Sequence, residues 1–121
     1  MKINELTDDQ LEKIFQRDSY WLVKYRPKWV ADNRTEWMGE HRPHWMLINR
    51  PEWMAEHYPE LMAEQRTEWM ADNRPEWMLE QRPEWMIINR YDWVLEHYPE
   101  KIKKYEKNTT IIPDDILKII S

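Results

Sequence analysis

The chain is predicted to be an all-α solenoid of very short helices built from eight-residue repeats, with a helical cap at each end. Three observations carry this prediction. From residue 26 to 105 the sequence is ten consecutive octads with the consensus Arg-Pro-Glu-Trp-Met-Ala/Leu-Glu-Asn/His. Ala, Leu, Met, Glu, Gln and Arg dominate these units, and all are good helix formers. Proline recurs at 27, 43, 51, 59, 75, 83 and 99, which forbids one continuous helix, because each interior proline removes a hydrogen bond and clashes with the preceding turn at about 3 kcal/mol. Phase gives a second objection to a single rod. Eight residues at about 100° each leave successive tryptophans about 80° out of register, so the apolar stripe would spiral into water. Both problems vanish if every octad ends one helix and starts another.

Taken in order, the first element is an N-terminal capping helix within residues 1–17. Thr7-Asp8-Asp9-Gln10 is a capping-box pattern, and Leu11, Ile14 and Phe15 supply an apolar face. Residues 18–25 form a degenerate first octad whose Trp21 is in phase with the others. The solenoid then runs to residue 105. Position two of each octad, usually proline, belongs in a first helical turn, where no N–H is needed. Position one, usually Arg, precedes proline and should be extended. Where proline is absent, Thr35, Thr67 and Ser19 are expected to act as N-caps. Glu at position three meets the positive end of the helix dipole. Asn, His or Gln at position eight suits a helix end. Residues 106–121 form a C-terminal capping or dimerisation segment. There Pro113 opens a short helix, and Ile111, Ile112, Ile116, Leu117, Ile119 and Ile120 are apolar.

Helices this short are not stable alone, so they must stack as solenoid units do. The expected core is the tryptophan ladder at position four: Trp29, Trp37, Trp45, Trp53, Trp69, Trp77, Trp85 and Trp93. Arg at position one has a Trp three residues on and five back, which invites cation–π stacking. Carboxylates at positions three and seven are expected to pair with the Arg heads. A longer period lies on top of the octad. Residues 26–65 and 66–105 match at 23 of 40 positions, as expected for duplication of a five-octad block. Alternatively, five octads complete one superhelical turn.

Composition excludes several kinds of chemistry. With no cysteine there is no disulfide, thiolate nucleophile or cysteine zinc site, and a single glycine excludes a Gly-rich phosphate loop. His41 and His44 form an H-x-x-H pair, but Arg42 stands between them and no third ligand has helical spacing. A catalytic site needs different groups at unique places, whereas here the polar residues repeat. No catalytic, metal or cofactor residue is therefore expected. The start of the chain is charged where a signal peptide needs an apolar run, and no apolar stretch of membrane-spanning length occurs. A cytoplasmic location without membrane attachment is the expectation.

The individual features are the breaks in the pattern. His44, Leu61 and Tyr91 are unique and are the candidate partner contacts. Ile48 and Ile88 replace the usual acid at position seven. Tyr58 and Tyr98 replace Arg, and each pair is 40 residues apart. Together with Ile116, Ile119 and Ile120, these are candidate contacts between layers or between chains. The function expected is a non-enzymatic interaction module that binds a protein, as a small adaptor or inhibitor of a larger bacterial or phage protein. A nucleic-acid or carbohydrate binder using the Arg/Trp ladder is the alternative. It is disfavoured for nucleic acid because the repeats hold 12 basic and 15 acidic residues. A self-assembling structural repeat, or a homodimer through the C-terminal isoleucines, is the remaining reading.

Overall fold

The computed structural model describes residues 1–109 and 114–120. Among the described residues there is no strand. A 3-10 turn, Ile3–Glu5, precedes twelve α-helices. They are α1 (Asp8–Tyr25), α2 (Pro27–Asn33), α3 (Thr35–His41), α4 (Pro43–Asn49), α5 (Pro51–His57), α6 (Pro59–Gln65), α7 (Thr67–Asn73), α8 (Pro75–Gln81), α9 (Pro83–Asn89), α10 (Tyr91–His97), α11 (Pro99–Thr109) and α12 (Asp114–Ile120). From α2 to α10 each helix is one octad less its first residue. This is an all-α, solenoid-like tandem repeat. Two compact units divide the chain, Met1–Met62 and Ala63–Ser121. No helix among the described residues is long and apolar enough to cross a membrane.

The corners explain why seven helical residues alternate with one that is not. At position one φ lies near −135° and ψ near 57°, as at Arg42 and Arg50. This departs from the extended geometry that a following proline favours. The reason is hydrogen bonding. At Arg34 the N–H still donates to Val30 O at 2.6 Å, and its carbonyl accepts from Met38 N at 3.0 Å. A fully extended ψ would swing the next helix away and forfeit both. Arg34 precedes threonine and Arg50 precedes proline, yet their angles agree within 2°. Proline is therefore compatible with the corner without being its sole cause.

At the breaks that follow asparagine, side chains add hydrogen bonds, and the open carbonyl at position eight gains a side-chain donor. Asn33, Asn49, Asn73 and Asn89 at position eight donate through Nδ2 to the position-four carbonyl at 2.9 Å. The arginine that follows each donates to the carbonyl at position eight, as Arg34 does to Asn33 and Arg74 to Asn73 at 2.9 Å. The threonines do not N-cap as expected. Thr35 and Thr67 are already helical, and their hydroxyls donate backwards, to Ala31 O at 2.7 Å and Ala63 O at 2.6 Å. Ser19 is not the cap of its segment either. Asp18 takes the non-helical conformation inside α1, and its carboxylate accepts from Trp21 N at 3.1 Å. The capping box at the start of α1 is present in both directions, Thr7 with Gln10.

The innermost row of the core is position five, and the tryptophan ladder flanks it. Val30, Met38, Met46, Met54, Met62, Met70, Met78, Met86 and Val94, all at position five, are fully buried. Their position-six neighbours, from Ala31 and Leu47 to Leu79 and Ile87, are buried with them. Every tryptophan of the position-four ladder is only half-buried, and Trp21 is exposed. The physical reason is helical geometry. Positions five and six stand side by side and point inward, while position four is turned about 100° from position five and lies on the flank. Methionine suits the inner position because its unbranched side chain fits irregular gaps.

Within each unit the chain meets itself again after two to three octads. Side-chain contacts between coils join residues 18 to 23 apart: Arg26 to Ile3 O, Asp8 to Trp29, Glu12 to Arg34, Asp32 to Arg50 and Asp72 to Arg90. A turn of five octads is thus not what these contacts describe. Two of the same contacts, through Asp8 and Glu12, seat α1 on the first octads, helped by Phe15, which meets Trp37 edge-on at 5.3 Å, and Arg26 ties the 3-10 turn to them through Ile3 O. At the other end, α11 buries Ile102 at position five in place of methionine. Helix α11 runs on past the last octad to Thr109. Leu117, Ile119 and Ile120 of α12 are exposed. Ile111, Ile112 and Pro113 lie outside the described residues, as does the side chain of Ile116.

Candidate functional site

The outer surface of the repeat is set by positions three and seven. All fifteen carboxylates of residues 26–105 fall at these two positions, and all are exposed. Helical spacing brings this about, since residues four apart share a face of the helix. The basic groups are placed differently. Arg34, Arg42, Arg50, Arg74 and Arg90 each turn a guanidinium N–H onto the carbonyl of the residue before them. Where Arg heads meet acids, the partner comes from another coil and not from the neighbouring positions that sequence proximity suggests. Asp32 pairs with Arg50 at 3.0 Å and Asp72 with Arg90 at 3.4 Å, and Glu12 pairs with Arg34. The arginines thus serve the corners, and the surface between them is acidic.

The indoles are covered in a way that follows the identity of position eight. At three of the four octads that end in asparagine, the next arginine lies over the tryptophan five residues back: Arg50 on Trp45, Arg74 on Trp69 and Arg90 on Trp85, at 5.4–5.8 Å, while Arg34 after Asn33 lies over Phe15 instead. Where it is histidine, the imidazole itself stacks. His41 lies on Trp37, His57 on Trp53 and His97 on Trp93, with centroids 4.1–4.6 Å apart and planes within 20°. Each of these histidines also places Nδ1 2.9 Å from the carbonyl of the same tryptophan. His41 is thereby engaged in the scaffold. Among the described residues no group of three His, Asp or Glu is placed to hold a metal ion.

The breaks in the pattern separate into two sets. Tyr58 and Tyr98 are half-buried and lean on Trp53 and Trp93 at 5.8 and 5.7 Å. They replace arginine where histidine already covers the indole. Leu61 is half-buried in the place of a tryptophan. Ile48 and Ile88 are each 70 % exposed, so neither joins layers within its unit. Each sits amid the carboxylate positions and two residues before an arginine that bridges to a second coil. His44 and Tyr91 are also exposed. Leu95, exposed at position six, was not singled out from the sequence. Its place at an otherwise buried position is visible only once the end of the solenoid is known.

One cavity of about 280 Å³ lies in the second unit, lined by Leu79, Pro83, Ile87, Lys101, Lys104 and Tyr105 with Glu80 and Glu84. It opens where Lys101 stands at position four in place of tryptophan. In the first unit a position-four indole covers a position-six residue. Trp53 lies fourteen residues after Gly39, and its ring edge occupies the space that a Cβ on Gly39 would need. The same offset from Ile87 arrives at Lys101.

Comparison of the chain with protein-family models, with curated proteins and with solved structures finds no match.

Proposed function

We propose that the chain is a non-enzymatic interaction module that binds a protein partner through the acidic face formed by positions three and seven, acting as a small adaptor or inhibitor. The observation that carries this reading is the distribution of charge: fifteen exposed carboxylates at positions three and seven, against two lysines there, Lys28 and Lys104, with five of the arginine heads turned to carbonyls at helix ends. Such a face attracts a basic surface and speeds encounter with it. Ile48 and Ile88 add an apolar knob at equivalent places. Repetition of the polar residues favours a surface over a catalytic centre, which needs unlike groups at one place.

Nucleic-acid or carbohydrate binding on the tryptophans ranks lower. That mode needs open aromatic faces, and here guanidinium or imidazole groups lie on six of the eight ladder indoles. The test is capture from a native lysate with the whole chain as bait. A stoichiometric protein is expected, weakening as salt screens the surface charges. It is expected to be lost when Glu56, Glu64, Glu80 and Glu96 are changed together to Gln. Recovery of no stoichiometric protein, or equal recovery by the two baits, would count against the reading.

A further inference from the structure

The cavity beside Lys101 and the exposed face of α12 are complementary, and both lie within the second unit. The cavity floor is Leu79, Pro83 and Ile87, all apolar, at positions six, two and six of their octads. Lysine at 101 cannot fill the place of an indole, since its ammonium must stay in water. Its volume of about 280 Å³ falls just under the range of small-molecule pockets, about 300–1,000 Å³, which favours side chains as the occupant. The rim is polarised. Lys101 and Lys104 stand on one side, neither in an ion pair among the described residues, and Glu80 and Glu84 on the other.

Helix α12 presents the matching chemistry. Leu117 and Ile120, three residues apart and so on one face, are 41 % and 71 % exposed, and Ile119 beside them is 76 % exposed. Asp114 and Asp115 open the helix. Among the described residues Leu117, Ile119 and Ile120 stay exposed and the cavity stays open. We infer that the chain forms a homodimer in which α12 of each copy lays Leu117 and Ile120 into the cavity of the other, with Asp114 and Asp115 toward Lys101 and Lys104. Reciprocal exchange makes the two contacts equivalent, closes a twofold and stops further growth. The charge arrangement sets the direction of the docked helix. The inference concerns a second copy of the chain, so it stands or falls apart from the external partner proposed above.

The test is the mass of the whole chain in solution, by light scattering across a wide concentration range. Wild type is expected to rise toward twice 15.3 kDa. Lys101→Trp restores the repeat consensus and fills the cavity, and is expected to remain monomeric with an unchanged or higher Tm. Leu117→Glu with Ile120→Glu alters only exposed side chains and is expected to be monomeric too. Mixing the two variants leaves one of the two contacts intact and should restore a weaker association. A wild type that stays monomeric throughout overturns the inference, and a fall in its Tm with Leu117→Glu would then place α12 on its own chain. A dimer unaffected by either variant also overturns it.

Discussion

Gly39 shows what a single position costs in this repeat. It is the one glycine of the chain, in mid-helix, where glycine is unfavourable by about 0.5–1 kcal/mol relative to alanine. Its φ is not positive, so conformation does not require it. Space does: a Cβ there would come within 2.7 Å of Trp53 Cζ3, 2.9 Å of Cη2 and 3.2 Å of Tyr58 Cε2. Overpacking of this kind costs about 1–3 kcal/mol, which outweighs the gain in helix propensity. Gly39→Ala is therefore expected to lower the urea midpoint. In a Trp53→Leu background, with the ring gone, the same change is expected to stabilise by about 0.5–1 kcal/mol. Leu61 already occupies the equivalent position elsewhere, so leucine fits there. A cycle in which Gly39→Ala has the same effect in both backgrounds would refute the steric account. The same residue scale explains the pairing of His57 with Tyr58 and of His97 with Tyr98. At these two places imidazole covers the indole face and the tyrosine ring packs beside it on the same tryptophan, whereas Arg42, which follows the equally stacked His41, lays its guanidinium over Tyr20.

At the scale of one helix and its corner, the governing fact is that the bonds into and out of position one survive the break. Position two needs no backbone donor, so proline and threonine both serve there by different means. Proline lacks the N–H, and threonine adds a hydroxyl for the carbonyl of the previous helix. Thr67→Pro is expected to change stability by less than about 1 kcal/mol. The lost hydrogen bond, about 0.5–1.5 kcal/mol, is offset by about 0.4–1 kcal/mol from a stiffer unfolded chain. Ala55→Pro, at position six of α5, is expected to cost about 3 kcal/mol or more, because there the ring meets the preceding turn and a helical N–H is lost. Denaturant titration of the two variants separates the cases. Comparable losses at 67 and 55 would mean that the corner depends on the threonine hydroxyl or its N–H. The octad is thus legible as a helix and a corner from proline spacing alone. The corner's φ and ψ are not, because they follow from keeping two hydrogen bonds while the next helix turns onto the coil.

Across the whole chain, both ends depend on burying position-five residues that have a neighbour on one side only. α1 does this at the start with Leu22, and buries Leu11 ahead of the octads, and α11 does it at the end with Ile102. Ile102→Ala is expected to cost about 2–5 kcal/mol as a buried large-to-small change. Removal of residues 114–121 is expected to leave Tm unchanged at a protein concentration low enough for the monomer, since Leu117, Ile119 and Ile120 are exposed. Thermal unfolding by circular dichroism reads both. A large fall on truncation would make α12 the cap after all. The amino-acid sequence by itself determined the helical class, the octad period, the proline-bearing first turn, the capping box at Thr7 and the repeated exceptions. These depend on local propensity and on spacing, which a linear string contains. Only the tertiary structure decided that methionine forms the innermost row and tryptophan the flank, that arginine serves carbonyls and carboxylates of other coils, and that Lys101 leaves an indole's place vacant. Those outcomes depend on which residue faces which across coils two to three octads apart, and that separation is set by the small angle at each corner, which no single octad encodes.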